Sequence, residues 1–240
     1  LVQGRGDVGQ VLVDDVRVAL VSATGSTRMG QLVGPRVAAR FGRSLLELGG
    51  NNAIIVSPSA DLDMAVRAVA FAAVGTAGQR CTTARRLIVH ADVYDALLAR
   101  LRKAYTSLRV GSPLDEGTLV GPLIDAASFE AMQAALEQAQ REGGTVHGGQ
   151  RVLQNRYPGA YYAQPALVEM PAQSTVVCHE TFAPILYVLR YTTLDEAIAL
   201  NNGVPQGLSS SIFTTDVREA EQFLSAVGSD CGIANVNIGT

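Results

Sequence analysis

The chain has 240 residues, 48% hydrophobic and 17% charged, with no tryptophan and a formal net charge of −3. That length supports one large domain or two small ones around an ample core, and the mild acidity gives no electrostatic footing for nucleic acid or an anionic membrane surface. Three cysteines, odd in number and far apart in sequence, argue against a disulfide framework and for a reducing, cytoplasmic setting.

The chain opens on LVQGRGDVGQ, which has neither the basic start nor the apolar run of a secretory signal. Within it Gly4, Gly6 and Gly9 match the spacing of the dinucleotide fingerprint G-x-G-x-x-G. That fingerprint needs a preceding strand and an acid about 20 positions on. Asp14 and Asp15 come too soon, so GRGDVG reads as a turn. Residues 16 to 23, VRVALVSA, read as a buried strand, and TRMGQLVGPRVAARFG as an amphipathic helix. Between them, Gly25 and Ser26 stand at the helix N-terminus, where free amides favour phosphate; an ordinary capped helix explains them equally well.

SLLEL and NAIIV read as further strands, and ELGGNN puts Glu47 at the end of the first. A carboxylate there is either an exposed strand terminus or a general base. Asp61 is placed to cap a helix through LDMAVRAVAFAAVG, whose apolar run contains Arg67 and is too short to span a bilayer. RLIVH follows as a strand, DVYDALLARLRKAYTSL and DAASFEAMQAALEQAQREGG as helices, the latter ended by its glycine pair. Then come PILYVLRY, LDEAIALNN, SSSIFTT, DVREAEQFLSAVG and GIANVNI, with long connections at 111–122 and in LQNRYPGAYYAQP. This alternation of strand and helix predicts an α/β protein built mainly on parallel sheets.

GTAGQRCTTARR holds the residue with the most chemistry in it. Free cysteines usually lie in apolar runs, yet Cys81 follows glycines and is surrounded by Arg80, Arg85 and Arg86. Basic neighbours favour a thiolate and glycines give access to it. No histidine is near in sequence, so a cysteine–histidine pair has no support here. Cys178–His179 looks like half of a metal site but has no second half, and packing is the simpler reading for Cys178 and Cys231. Glu180 and Phe182, in HETFAPILYV, stand just before an apolar strand.

Four of these stretches, TGST at 24–27, LELGGNN at 46–52, GQRCT at 78–82 and ETFAP at 180–184, occur in the order and spacing that resemble the aldehyde dehydrogenase superfamily. The wording of GTAGQRCTTARRL and GSDCGIANVNI is similar to its α-aminoadipic semialdehyde (antiquitin-type) branch. The resemblance implies an α/β fold with residues 1–48 closing a Rossmann-like NAD domain and 49–240 forming most of a catalytic domain. It implies Cys81 as nucleophile and Glu47, 34 positions upstream, as the base that activates a water. Gly25 and Ser26 would meet the pyrophosphate of NAD (or NADP), and Leu48 and Gly49 would border the nicotinamide. Glu180 would hold its ribose beside Phe182, and Arg80 would meet the far carboxylate of a semialdehyde. A small aldehyde as substrate, no nucleic-acid or membrane partner and a homo-oligomer at full length follow from the same likeness. So does an internal fragment, lacking the family's upstream adenine-ribose site and oxyanion asparagine and its final oligomerisation segment. Two rivals stand beside this: an acylating dehydrogenase or thiol acyltransferase using the same thioester, and a non-catalytic module keeping the fold.

Overall fold

The computed structural model describes residues 1–240, which form two compact units, Leu1–Gly49 and Gly50–Thr240. The first unit contains α1 (Gly6–Asp14), β1 (Leu20–Thr24), α2 (Thr27–Ala39) and β2 (Arg43–Glu47). β1 and β2 pair in parallel, from Leu20 opposite Arg43 to Thr24 opposite Glu47. α2 packs on β2, and α1 packs on α2.

Two details here differ from the sequence reading. GRGDVG is not a turn: Gly9 N–H donates to Arg5 O at 3.1 Å and opens the helix α1. Its glycines mask a helical repeat in which Val8, Leu12 and Val13 fall on neighbouring positions. β1 also begins four residues later than its apolar run and is not the buried strand that run suggests, since Leu20 is 51% exposed. Asp15 accepts the Arg17 N–H at 2.9 Å and the Val18 N–H reaches its carbonyl at 3.0 Å, so a local turn claims the start of the run.

The second unit carries β3 (Asn52–Val56), α3 (Leu62–Val74), β4 (Ala84–His90), α4 (Ala91–Ser107), α5 (Ala126–Arg141), β5 (Thr145–His147), β6 (Arg151–Val152) and β7 (Tyr162–Ala163). Then follow β8 (Ala166–Glu169), α6 (Thr175–Cys178), β9 (Ile185–Tyr191), α7 (Leu194–Asn202), β10 (Ser209–Phe213), α8 (Val217–Leu224) and β11 (Ile233–Val236). Seven strands make one sheet in the order β11-β10-β3-β4-β9-β8-β5, parallel throughout except for β5 at one edge. β6 and β7 form a separate antiparallel pair.

Strands buried on both faces read as continuous apolar runs, and Ala53–Val56 and Leu87–Val89 are almost fully buried. Asp61 caps α3 by accepting from the Asp63 and Met64 amides, a contact worth about 1 kcal/mol. Ala65, Val69, Ala72 and Ala73 turn that helix's apolar face to the core. Gly143, at φ 88°, ends α5 in the left-handed region. No helix of the structure is long and apolar enough to cross a membrane.

Candidate active site

In the first unit the groups singled out in sequence gather at the carboxyl ends of β1 and β2. Ser26 caps α2, its Oγ accepting from the Met29 N–H at 3.1 Å, while the Gly25 N–H donates to Glu47 O at 3.0 Å. Glu47 is the last residue of β2 and its side chain is exposed. A Cβ on Gly30 would lie 2.6 Å from a Leu48 methyl, so the bare glycine lets Leu48 rest on α2. A cavity of about 680 Å³ opens between α1, β1 and α2, lined by Val13, Ala23, Ser26 and Met29 among others. Gly6 and Gly9 also line it, and a Cβ on either would meet nothing within 4 Å, so side chains there would project into open space.

In the second unit the pieces meet at the other end of the strands. β3, β4, β9 and β10 run parallel, so the loops entering them share one edge of the sheet. Cys81 lies in the loop entering β4, in a tight turn closed twice: Thr83 N–H donates to Arg80 O at 3.1 Å, and Arg80 N–H donates to Thr83 Oγ1 at 3.1 Å. Asn52, at the start of β3 and 2% exposed, donates through Nδ2 to Cys81 O at 2.7 Å and Thr83 O at 2.8 Å. Its Oδ1 accepts the Ser209 N–H at 3.1 Å, tying in β10. The Cys81 carbonyl is thereby fixed, the thiol is half-buried and free, and the Cys81 N–H donates to no protein acceptor.

Three left-handed residues precede the turn: Thr76 at φ 55°, Ala77 at 52° and Gly78 at 69°. For Thr76 and Ala77 this costs about 1–3 kcal/mol each, which only a strongly determined surrounding sustains. Gly78 supplies part of it. A Cβ there would lie 2.4 Å from Ala183 C and O, so the loop entering β9 packs directly on its backbone.

Arg85 ties these loops together and is 3% exposed. Its Nε donates to Gly50 O at 3.1 Å, Nη1 to Gly78 O at 3.2 Å, and Nη2 to Arg80 O and Glu180 Oε1, both at 3.0 Å. Glu180 Oε1 also accepts the Gly50 N–H at 3.1 Å, leaving Oε2 without a protein partner. Burial pushes the Arg85 pKa down, and the Glu180 carboxylate pulls against it. The guanidinium carbon stands 5.3 Å from the centroid of Phe182, itself at φ 57° and partly exposed. Arg86 is equally committed, donating to carbonyls of Asn51, Leu200 and Asn201 and to the Gln173 side chain.

These geometries revise the sequence argument for the cysteine. Two of its three arginine neighbours are buried and spent on carbonyls. The doubly closed turn and its unpaired N–H are what set Cys81 apart. Asn52, Gly78 and Arg85 went unassigned in the sequence. The available signal was a run of polar residues where each strand begins, GGNN before β3 and TTARR before β4. Cys178 ends the short α6 with Sγ 4.0 Å from Gly203 O, and with His179 it belongs to no cluster of three metal-ligating side chains.

The model of the aldehyde dehydrogenase family matches residues 1–240. The chain is 50% identical over 237 residues to bovine (Bos taurus) alpha-aminoadipic semialdehyde dehydrogenase, covering 99% of this chain and 44% of that one. It is 49% identical over 237 residues to aldehyde dehydrogenase family 7 member A1 of Pisum sativum, covering 99% of this chain and 46% of that one. Among solved structures, PnpE of Pseudomonas sp. WBC-3 in complex with nicotinamide adenine dinucleotide superimposes with a TM-score of 0.94 at 31% identity, over 99% of this chain and 49% of that one. The chain thus spans about half the length of the curated relatives it matches.

Proposed function

Since the chain belongs to the aldehyde dehydrogenase family, we propose that it forms part of an NAD(P)-dependent enzyme that oxidises an aldehyde to its acid through Cys81. The observation that carries this is the Cys81 turn, a free thiol beside an unpaired backbone N–H on a carbonyl clamped by Asn52. A thiolate is a strong nucleophile near neutral pH and a good leaving group from an acyl carbon. An unpaired amide beside it suits the oxygen that gains charge when the thiolate adds.

The residues present fit a dinucleotide. The cavity over bare Gly6 and Gly9 is of ligand size and suits an adenosine, with Gly25 and Ser26 at the adjoining N-terminus of α2 for the pyrophosphate. In the second unit Glu180 Oε2 is free for a ribose hydroxyl, with Phe182 two residues on; in the first, Leu48 and Gly49 follow β2 directly. In this reading Leu1–Gly49 closes the cofactor domain and Gly50–Thr240 supplies most of the catalytic domain. When bound, the cofactor supplies the acceptor for the hydride that leaves the former aldehyde carbon.

The chain's own residues do the rest. Cys81 Sγ adds to the aldehyde carbon to give a thiohemiacetal, and after oxidation holds the acyl group as a thioester. Glu47 takes a proton from water, whose oxygen adds to the thioester carbon; the C–S bond breaks, the acid leaves and the thiolate returns. Keeping Glu47 favours release to water over transfer to another thiol. The bovine relative's name supports a semialdehyde as substrate, and Arg80 supplies a fork for its far carboxylate.

The test needs a protein spanning the relatives' full length and carrying this chain. Glu47→Gln keeps a first burst of NADH and slows turnover by at least tenfold, because the base acts after acylation. Cys81→Ala abolishes both. Steady-state turnover unchanged in Glu47→Gln, or a burst surviving Cys81→Ala, would remove that residue from its role.

A further inference from the structure

Arg80 is held in place by something other than an ion pair, and that arrangement deepens the semialdehyde reading on which this inference rests. Its backbone is fixed by Thr83 and by Arg85, but no carboxylate of the Gly50–Thr240 unit lies within ion-pairing distance of its guanidinium, and no protein acceptor takes the guanidinium N–H groups. The side chain instead lies back along α3. Its guanidinium carbon stands 5.4 Å from the ring centroid of Phe71, which is 68% exposed. One helical turn further on, a Cβ on Gly75 would fall 1.9 Å from Arg80 Nη2 and 3.2 Å from Cζ.

Gly75 is not a glycine for the sake of its backbone. Its φ of −52° and ψ of 133° suit any residue. What only glycine permits here is the space, because even a methyl group would displace the guanidinium. Residues 71 and 75 share one helix face, so the ring and the bare position together form a seat for a cation whose donors all remain free. A loose surface arginine pays rotamer entropy when it grips a ligand, and a seated one has paid most of it beforehand.

We propose that Gly75 and Phe71 are positioning residues that seat Arg80 for the far carboxylate of the semialdehyde, Gly75 by lacking a side chain and Phe71 by offering its ring face. They act through Arg80, so their loss changes the choice between aldehydes rather than the chemistry at Cys81.

The experiment measures KM and kcat for α-aminoadipic semialdehyde and for hexanal, in a protein of the relatives' full length carrying this chain. Gly75→Ala is expected to raise the ratio of the two KM values (semialdehyde over hexanal) about tenfold, the low end for losing a hydrogen bond to a charged group. Phe71→Leu, an exposed change with little risk to the fold, should raise it about threefold. Gly75→Ala combined with Arg80→Ala should be no worse than Arg80→Ala alone. Equal losses on both aldehydes in Gly75→Ala and Phe71→Leu, or a Gly75→Ala effect that persists without Arg80, would overturn the seat. A selective Arg80→Ala with silent Gly75→Ala and Phe71→Leu would overturn the seat and leave the semialdehyde reading standing. An Arg80→Ala variant that loses both aldehydes equally would overturn that reading, and the seat's role with it.

Discussion

Glu180→Gln isolates the charge in the Arg85–Glu180 pair, because glutamine keeps the shape and one oxygen for the Gly50 and Arg85 donors. The side chains are 3% and 14% exposed, so solvent screens the pair little. Removing one member of a buried pair costs about 3–5 kcal/mol when nothing replaces it. Here Arg85 keeps three carbonyls, those of Gly50, Gly78 and Arg80, and a neutral amide oxygen in place of the carboxylate. The Gly50 bond becomes neutral and the Arg85 bond keeps only the guanidinium's charge, each losing roughly 1 kcal/mol, and the expected cost is about 2–3 kcal/mol. Urea unfolding of the 240-residue chain by circular dichroism reads it as a lower midpoint at unchanged slope. Arg85→Met should cost more, since it orphans the carbonyls as well, and the double variant should fall short of the sum by at least about 1 kcal/mol. A Glu180→Gln shift below about 0.5 kcal/mol would refute the idea that charge, rather than fit, holds these loops together.

Gly78→Ala should destabilise the chain by about 2–4 kcal/mol, combining a left-handed dihedral with overlap on the Ala183 backbone; a thermal melt unchanged within 1 °C would show that the loop yields freely. Burial pushes the Tyr187 and Tyr94 hydroxyls up to about 12 from the ordinary tyrosine value of 10.0. The folded state therefore holds these protons more tightly, so their contribution is intact below pH 10 and is lost as pH rises toward 12. Tyr187→Phe should flatten the alkaline fall in unfolding free energy by up to about 1.4 kcal/mol per pH unit within that window. An identical slope in the variant would exclude Tyr187 from it.

Much of the fold was legible because apolar strands and amphipathic helices differ in period. NAIIV, RLIVH and PILYVLRY became β3, β4 and β9, and Asp61 caps α3 as its position suggested. The short strands β5 to β8 were not legible. Thr145–His147 and Arg151–Val152 are too brief to show a period, and pairing partners rather than propensity make them strands. GRGDVG misled because glycine content outweighed a helical repeat. The family resemblance, and not their local surroundings, singled out Cys81, Glu47 and Glu180 in sequence. It could not show that Arg85 and Arg86 turn inward, because an arginine beside a cysteine reads the same whether it meets a thiolate or a carbonyl.

The two units place their distinctive residues at opposite ends of parallel strands, and the difference explains where polar groups are buried. In open α/β sheets ligands commonly lie beyond the carboxyl ends. The first unit conforms, with Ser26 following β1 and Glu47 ending β2. In the second unit the Cys81 turn lies at the amino ends, where the irregular backbone of the entering loops leaves carbonyls and amides without ladder partners. Those groups are satisfied by side chains drawn from the strand starts: Asn52 takes the Ser209 N–H and two carbonyls, Arg85 three carbonyls, Arg86 three more. That accounts for buried Asn51, Asn52, Arg85 and Arg86 in a core made mostly of apolar side chains. Burying such groups is costly unless each is paired, so the arrangement tolerates little loss. Substitutions among the apolar strand residues should be absorbed by repacking, whereas removing Asn52 or Arg85 leaves several buried groups orphaned at once, next to the cysteine.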